Sequence, residues 1–94
     1  MLTIEKKLDG TLAFSGRFDA SQVDTAEEAF ASLEESTTLD FSELDYISSA
    51  GLGVLVATQQ RLSEVGHNLT LSNMNAHIRE VFQISSLDQL FIIN

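Results

Sequence analysis

Hydrophobic residues recur at every second position in two short runs at the start of the chain. Leu2 and Ile4 form the first run, and Leu12 and Phe14 form the second. A spacing of two is typical of a β-strand with one buried face. Between the runs, the Asp-Gly pair at residues 9–10 suits a type I′ turn. The chain is therefore predicted to begin with an antiparallel β-hairpin.

The spacing changes after Gly16, where three segments follow the helical period of three and four. The first segment carries one apolar stripe, made of Val23, Ala26, Phe30 and Leu33. The second runs over residues 50–65 and is followed by Gly66, a residue type that often closes a helix. The third covers residues 78–82, with Asn75 or a near neighbour at its start. These patterns predict three main helices.

Short apolar runs between and after these helices predict the remaining strands, at residues 37–41, 69–71 and 91–93. The predicted order is β-β-α-β-α-β-α-β. Because strands that alternate with helices are joined by right-handed crossovers, most of the sheet is predicted to be parallel. The initial hairpin adds an antiparallel edge. The predicted fold class is therefore α/β, with a mixed β-sheet in a single domain that spans residues 1–94.

Composition narrows the classes of function. The chain carries 14 acidic and 5 basic residues, for a net charge of −9. This charge disfavours binding to nucleic acid or to an anionic membrane, because both require a basic surface. The chain has no cysteine, which excludes thiol catalysis and cysteine-bound zinc. Because no apolar run approaches membrane-spanning length and no signal-peptide pattern opens the chain, we expect a cytoplasmic protein without direct membrane insertion.

The segment at residues 45–55 (DYISSAGLGVL) passes from the end of a strand, through two serines, into a helix. Serine is a favoured N-cap, since its hydroxyl accepts a hydrogen bond from the free N–H groups of the first turn. Ser49 is therefore interpreted either as a structural cap or as a functional hydroxyl. A helix N-terminus also accommodates an added phosphate, because its N–H groups and its dipole favour negative charge.

Two glycines in the first turns of this helix, Gly51 and Gly53, need an explanation, because each costs roughly 1 kcal/mol relative to alanine. Such a cost suggests that another group must approach the helix backbone closely. That group is either a neighbouring part of the same chain or the surface of a partner. The pattern alone leaves both interpretations open.

Residues 40–55 (DFSELDYISSAGLGVL) resemble the signature of the STAS domain, and more closely that of the bacterial anti-sigma factor antagonists. Residues 16–19 (GRFD) resemble the family's Gly-x-Leu/Phe-Asp element, which follows its second strand. The resemblance covers the whole chain in the order and length of its elements. In the family, the phosphorylated serine stands two places before a Gly-Leu-Gly or Gly-Leu-Arg element, which is Ser49 here. Ser48 replaces the family's usual aspartate and is the second choice for the phosphorylation site.

The resemblance implies a partner-switching regulator and not an enzyme. Its unphosphorylated form would bind a GHKL-type anti-sigma factor that is also a serine kinase, and phosphorylation of Ser49 would release it. A PP2C-type phosphatase would restore binding. The implied partner-binding residues lie around this serine: Phe18, Asp19, Ser48, Ser49, Ala50, Gly51, Leu52 and Gly53. No cofactor is implied, and the small acidic chain is expected to be monomeric when free.

Other functions remain open alternatives. A STAS scaffold that is not phosphorylated, such as the small cytoplasmic subunit of a lipid-transport ABC complex, would keep the fold and the docking helix. An enzyme would need a base beside Ser48 or Ser49, and His67 and His77 are the only histidines. His67 is predicted at the far end of the second helix, and the nucleophile-elbow motif is absent. The chain also lacks the complete glycine-rich nucleotide motifs and any clear set of metal ligands.

Overall fold

The strands predicted from the apolar spacing form one five-stranded sheet in the computed structural model, which describes all 94 residues. The strands lie across the sheet in chain order: β1 (Leu2–Lys6), β2 (Leu12–Phe18), β3 (Thr37–Ile47), β4 (Leu69–Ser72) and β5 (Ile92–Ile93). β1 and β2 are antiparallel, and every other neighbouring pair is parallel. The predicted mixed sheet with an antiparallel edge hairpin is confirmed.

Helices connect the parallel strands, as predicted. The α-helices are α1 (Val23–Ala31), α2 (Ser49–Ser63) and α3 (Ala76–Ile84), and short 3-10 helices lie at Ala20–Gln22 and Leu87–Gln89. Gly66 closes the end of α2 with a φ of +82°, a conformation that glycine adopts without strain. Asn75 is the N-cap of α3, where its Oδ1 accepts the Ile78 N–H at 2.8 Å. The predicted roles of Gly66 and Asn75 are both confirmed.

One face of the sheet carries the apolar side chains, and the three helices pack on it. The register places Leu12 beside Leu39 and Leu39 beside Leu71, and all three side chains are buried. Asp40 and Ser72 are paired on the opposite face, which is polar. The core is a single cluster of 19 buried apolar residues drawn from the strands and from every α-helix.

β3 extends beyond the strand predicted at residues 37–41. The predicted strand is too short because two irregularities interrupt the alternation of buried and exposed residues in β3. Its buried residues are Leu39, Phe41, Leu44 and Ile47, so the spacing changes from two to three beyond Phe41. The pairing with β2 shifts between Ala13 and Ser15, and again between Gly16 and Arg17. At each shift β3 contains one residue more than β2, which is the geometry of a bulge. The prediction of a strand that ends at Phe41 is wrong for this reason.

The hairpin turn is not the predicted type I′ turn, although the strands that it joins are antiparallel. A type I′ turn needs positive φ at both central residues. Only Gly10 of the Asp-Gly pair has a positive φ, +92°, and its N–H donates to the Lys7 carbonyl at 3.0 Å. The turn is therefore centred on Leu8 and Asp9. The Asp9 carboxylate stabilises it by accepting the Thr11 N–H at 2.9 Å.

Candidate functional site

β2 and β3 end side by side, and the candidate residues lie where they end. Phe18 and Ile47 are the last register pair, and the Ser48 N–H donates to the Phe18 carbonyl at 2.9 Å. Asp19 follows directly on one strand, and Ser49 follows Ser48 on the other. Ligands and partners of α/β folds favour this edge of the sheet. Phe18 and Ser49 therefore lie at the same end of the sheet.

Ser48, and not Ser49, is the N-cap of α2. Its backbone is extended, with φ −91° and ψ 170°, and its Oγ accepts the Gly51 N–H at 3.2 Å. Its carbonyl accepts the Leu52 N–H at 2.9 Å. The interpretation of Ser49 as the cap is wrong, because the extended backbone continues through Ser48 and the helix begins one residue later.

Ser49 is the first residue of α2, and its side chain is exposed. The hydroxyl that caps the helix belongs to Ser48, so the Ser49 hydroxyl has no structural hydrogen bond to lose. The free N–H groups of the first turn and the helix dipole place positive potential around this position. A negative group attached to the Ser49 oxygen would therefore leave the helix cap in place.

Phe18 and Gly51 lie beneath the surface. Phe18 is fully buried, and Gly51 is buried with it. A Cβ added at Gly51 would lie 3.0 Å from the Phe18 carbonyl oxygen and 3.0 Å from Cγ1 of Ile47. Gly51 is therefore explained by the close approach of α2 to the ends of β2 and β3. Both residues are buried in the free chain, so the predicted contact of Phe18 and Gly51 with a partner stays a prediction.

The other candidate residues form one accessible patch, here termed the α2 surface: Asp19, Ser48, Ser49, Ala50, Leu52 and Gly53. Ser49 and Gly53 are exposed, and the other four are half-buried. A Cβ added at Gly53 would meet no atom within 4 Å. The structure therefore separates the two glycines: the packing of the chain requires Gly51, and nothing inside the chain requires Gly53.

Asp19 belongs to the α2 surface, and hydrogen bonds with Ser21 hold its side chain in place. Its Oδ1 accepts the Ser21 hydroxyl at 2.6 Å and the Ser21 N–H at 3.1 Å, which caps the 3-10 helix Ala20–Gln22. These hydrogen bonds, that of the Ser21 side chain above all, hold the pKa of the Asp19 carboxyl below its ordinary value. Asp19 is therefore a fixed negative charge at neutral pH.

Neither histidine is hydrogen-bonded to the two serines. α2 is 15 residues long, so His67 lies past its far end, roughly 22 Å along the helix axis from Ser49. There its Nδ1 lies 3.2 Å from the Ser36 hydroxyl. His77 is exposed in the first turn of α3. The predicted position of His67 is confirmed, and no nucleophile-base pair is assembled at Ser48 or Ser49.

Sequence reasoning missed one feature of this edge, the contact between Arg17 and Tyr46. These residues are opposite each other in the register of β2 and β3, directly after the second bulge. The guanidinium carbon of Arg17 lies 4.2 Å from the centroid of the Tyr46 ring, within the range of a cation–π interaction. The nearness of Arg17 to Asp19 was readable from the sequence. The bulge that brings Tyr46 opposite Arg17 was not.

Neither a cluster of metal ligands nor a membrane-spanning helix is present in the structure. No group of three or more acidic or histidine side chains is arranged to hold a metal ion. Each of the helices is too short or too polar to span a bilayer.

Comparisons with known sequences identify a matching family model and related proteins. The family model described as Mlab, STAS domain matches residues 3–93. BtrV of Bordetella bronchiseptica, a candidate anti-sigma factor antagonist, is 35% identical over 96 residues, which covers 96% of this chain and 82% of BtrV. An anti-sigma-B factor antagonist of Staphylococcus epidermidis is 28% identical over 83 residues, which covers 84% of this chain and 77% of that protein.

Solved structures share the fold at lower sequence identity. The unphosphorylated form of SpoIIAA, an anti-sigma factor antagonist, superposes with a TM-score of 0.73 at 18% identity, covering 100% of this chain and 87% of SpoIIAA. A candidate anti-sigma factor antagonist from Thermotoga maritima superposes with a TM-score of 0.81 at 19% identity, covering 99% of this chain and 85% of the other. The order of strands and helices described above is therefore that of a known fold.

Proposed function

We propose a function from the premise that this chain belongs to the STAS domain family, among the bacterial anti-sigma factor antagonists. The chain is a partner-switching regulator. When unphosphorylated, it binds a GHKL-type anti-sigma factor that is also a serine kinase, and phosphorylation of Ser49 releases it. A PP2C-type phosphatase reverses the modification. In this cycle the chain is a substrate and not an enzyme.

The observation that carries the proposal is that the hydroxyls of Ser48 and Ser49 have different environments. The Ser48 hydroxyl is used by the fold, since it caps α2 through the Gly51 N–H at 3.2 Å. The Ser49 hydroxyl is exposed at the start of the same helix. A kinase therefore reaches Ser49 without breaking a hydrogen bond of the fold. This supports Ser49 over Ser48 as the phosphorylation site.

The α2 surface also suits release by a charge. Ser49, Ala50 and Gly53 carry small or absent side chains, so another protein can approach the helix backbone closely. A phosphoserine adds about −1.5 to −2 charges at neutral pH. In a closely packed interface that phosphate must be desolvated, and it occupies space that the partner fills, so binding weakens. The helix N-terminus tolerates the phosphate, so the fold of the chain persists.

The proposal is tested by phosphorylation with the GHKL kinase encoded nearest to the gene. The purified chain is incubated with this kinase and ATP, and the phosphate is mapped by mass spectrometry. We expect one phosphate per chain at Ser49, none on Ser49→Ala, and a phosphate that still maps to Ser49 on the matched control Ser48→Ala. Modification of Ser48 alone would contradict the assignment of the site. Lack of modification by every GHKL kinase of the source organism would contradict the proposed function.

A second candidate function is favoured by one observation. The matching family model is described as Mlab, STAS domain, and its description does not mention an anti-sigma factor. The second candidate is therefore a STAS scaffold that is not phosphorylated, such as the small subunit of a lipid-transport ABC complex. Co-purification of the tagged chain with transporter subunits, together with an unmodified Ser49, would select this candidate over the first.

A further inference from the structure

Arg17 is an exposed cation that the fold leaves unpaired. The salt bridge of the chain joins Lys7 to Glu5, and no acidic side chain lies within 4 Å of the Arg17 guanidinium. Its recorded contact is with the Tyr46 ring, at 4.2 Å from the centroid. A guanidinium that lies over an aromatic ring is restrained in orientation while its N–H donors remain free. Arg17 is therefore preorganised to bind an anion.

The other basic side chains are in different places or are already used. Lys6 and Lys7 lie at the hairpin, at the opposite end of β2. Arg61 donates to the carbonyls of Leu33 and Phe30, each at 2.8 Å, and so closes the end of α1. Arg79 is on α3 and donates to the Asn94 carbonyl at 3.4 Å. Arg17 is the only basic residue on β2 or β3, and it lies two residues before Asp19. Its side chain is on the helix-free face of the sheet, because the alternate residues Phe14 and Phe18 are buried under the helices.

The side-chain charges around Arg17 are of the opposite sign, and the one neighbouring positive group is the N-terminal amine of Met1, whose carbonyl accepts the Arg17 N–H at 3.0 Å. Residues 1–50 contain eleven acidic and three basic residues. Asp19 and the exposed Asp45 both lie close to Arg17 along the ends of β2 and β3. A protein that is complementary to this edge therefore presents mainly basic groups. The exception is the point opposite Arg17, where complementarity requires a carboxylate.

We propose that Arg17, held in place by Tyr46, binds a carboxylate of the protein partner on the helix-free face of the sheet, beside the strand ends that carry Ser49. The inference rests on the proposed function and adds a determinant of partner choice to it. A guanidinium binds a carboxylate through two parallel N–H···O hydrogen bonds, which fixes the register of the two surfaces. A partner with a basic residue at the same point is rejected by like charges. Tyr46 is a positioning residue, because it acts through Arg17.

The test compares two charge reversals, Arg17→Glu and Lys6→Glu, which make the chain equally more negative. The recombinant cognate kinase is titrated with each unphosphorylated variant at physiological salt. We expect Arg17→Glu to weaken binding about tenfold or more, as the loss of an interfacial charge pair does. Lys6→Glu is expected to change it by less than about twofold, because Lys6 lies five strand residues away, roughly 16 Å, and the screening length is about 8 Å.

Two variants of Tyr46 test the positioning role. Tyr46→Phe keeps an aromatic face under the guanidinium, so binding is expected to stay within about twofold of the wild type. Tyr46→Leu removes that face, and we expect a loss of about threefold, smaller than that of Arg17→Glu. Arg17→Glu in combination with Tyr46→Leu should then bind no more weakly than Arg17→Glu alone. Thermal unfolding of every variant checks that the fold is retained.

The outcomes separate this inference from the proposed function. If the wild type binds the kinase and is phosphorylated while Arg17→Glu and Lys6→Glu bind equally well, the inference is overturned and the proposed function stands. If Arg17→Glu changes binding to the kinase only when the chain is phosphorylated, the anion that Arg17 binds is the phosphate on Ser49. The proposed contact with a carboxylate of the partner is then overturned. If the wild type neither binds a GHKL kinase nor is modified by one, both fail together.

Discussion

The side of the first two turns of α2 that faces the sheet and the side that faces solvent differ in the space they leave for a side chain. On the inner side, a Cβ at Gly51 would lie 3.0 Å from a backbone oxygen and 3.0 Å from the Ile47 side chain. On the outer side, a Cβ at Gly53 would meet no atom within 4 Å. The same contrast separates Ser48, whose hydroxyl caps the helix, from the exposed Ser49. Packing and hydrogen bonding within the chain account for Gly51 and Ser48, but they do not account for Gly53 and Ser49.

This contrast teaches how to read a small-residue motif at the start of a helix. Glycine and serine occur on both sides of the turn, so composition alone does not distinguish packing from binding. The distinction depends on whether contacts within the chain require the small residue. They require Gly51, because α2 approaches the ends of β2 and β3 so closely. They do not require Gly53, and its cost of roughly 0.5–1 kcal/mol in a helix is compensated by nothing within the fold.

The largest effect is expected for Gly51→Val. The branched side chain has no space between α2 and the backbone of Phe18, so the free energy of unfolding should fall by about 3 kcal/mol. The matched control Gly53→Val should change it by less than about 0.5 kcal/mol, since the added atoms face solvent. Denaturant unfolding monitored by circular dichroism measures both. Equal losses in the two variants would contradict the distinction between the two sides.

A smaller effect is expected for the loss of the cap. Ser48→Ala removes the acceptor of the Gly51 N–H, which should lower the free energy of unfolding by about 1 kcal/mol. Ser49→Ala removes no hydrogen bond of the fold and should leave stability within about 0.5 kcal/mol of the wild type. The same unfolding experiment compares them. A greater loss for Ser49→Ala would mean that the roles of the two serines are exchanged.

The smallest effect, with the opposite sign, is expected for Gly53→Ala. Alanine favours the helical backbone over glycine, and its methyl group meets no other atom, so the free chain should gain about 0.5 kcal/mol. If a partner packs closely on the α2 surface, the same methyl group should weaken binding to the kinase. Thermal unfolding and a binding titration, run on the same preparation, measure the two changes. If the variant gains stability and keeps its affinity for the kinase, position 53 is not part of the surface that the kinase contacts.

Much of the fold was predictable because it depends on short-range patterns. The apolar period identified the hairpin, the three helices and the order of elements along the chain, and crossover handedness then implied a mostly parallel sheet. The prediction of β3 failed beyond Phe41, since bulges shift the buried positions to Leu44 and Ile47. The turn type at Gly10 also differed, because the Asp9 carboxylate stabilises another geometry.

The amino-acid sequence by itself determined the family, most of the elements and the edge of the sheet that carries the candidate site, because periodicity, turn residues and a short motif are local properties of the chain. Tertiary structure alone decided which serine caps α2, which glycine is buried and which aromatic ring supports Arg17. The physical reason is that these outcomes depend on the register of β2 against β3 and on how closely α2 approaches them. That register and that approach are set by the packing of side chains that are far apart in the sequence.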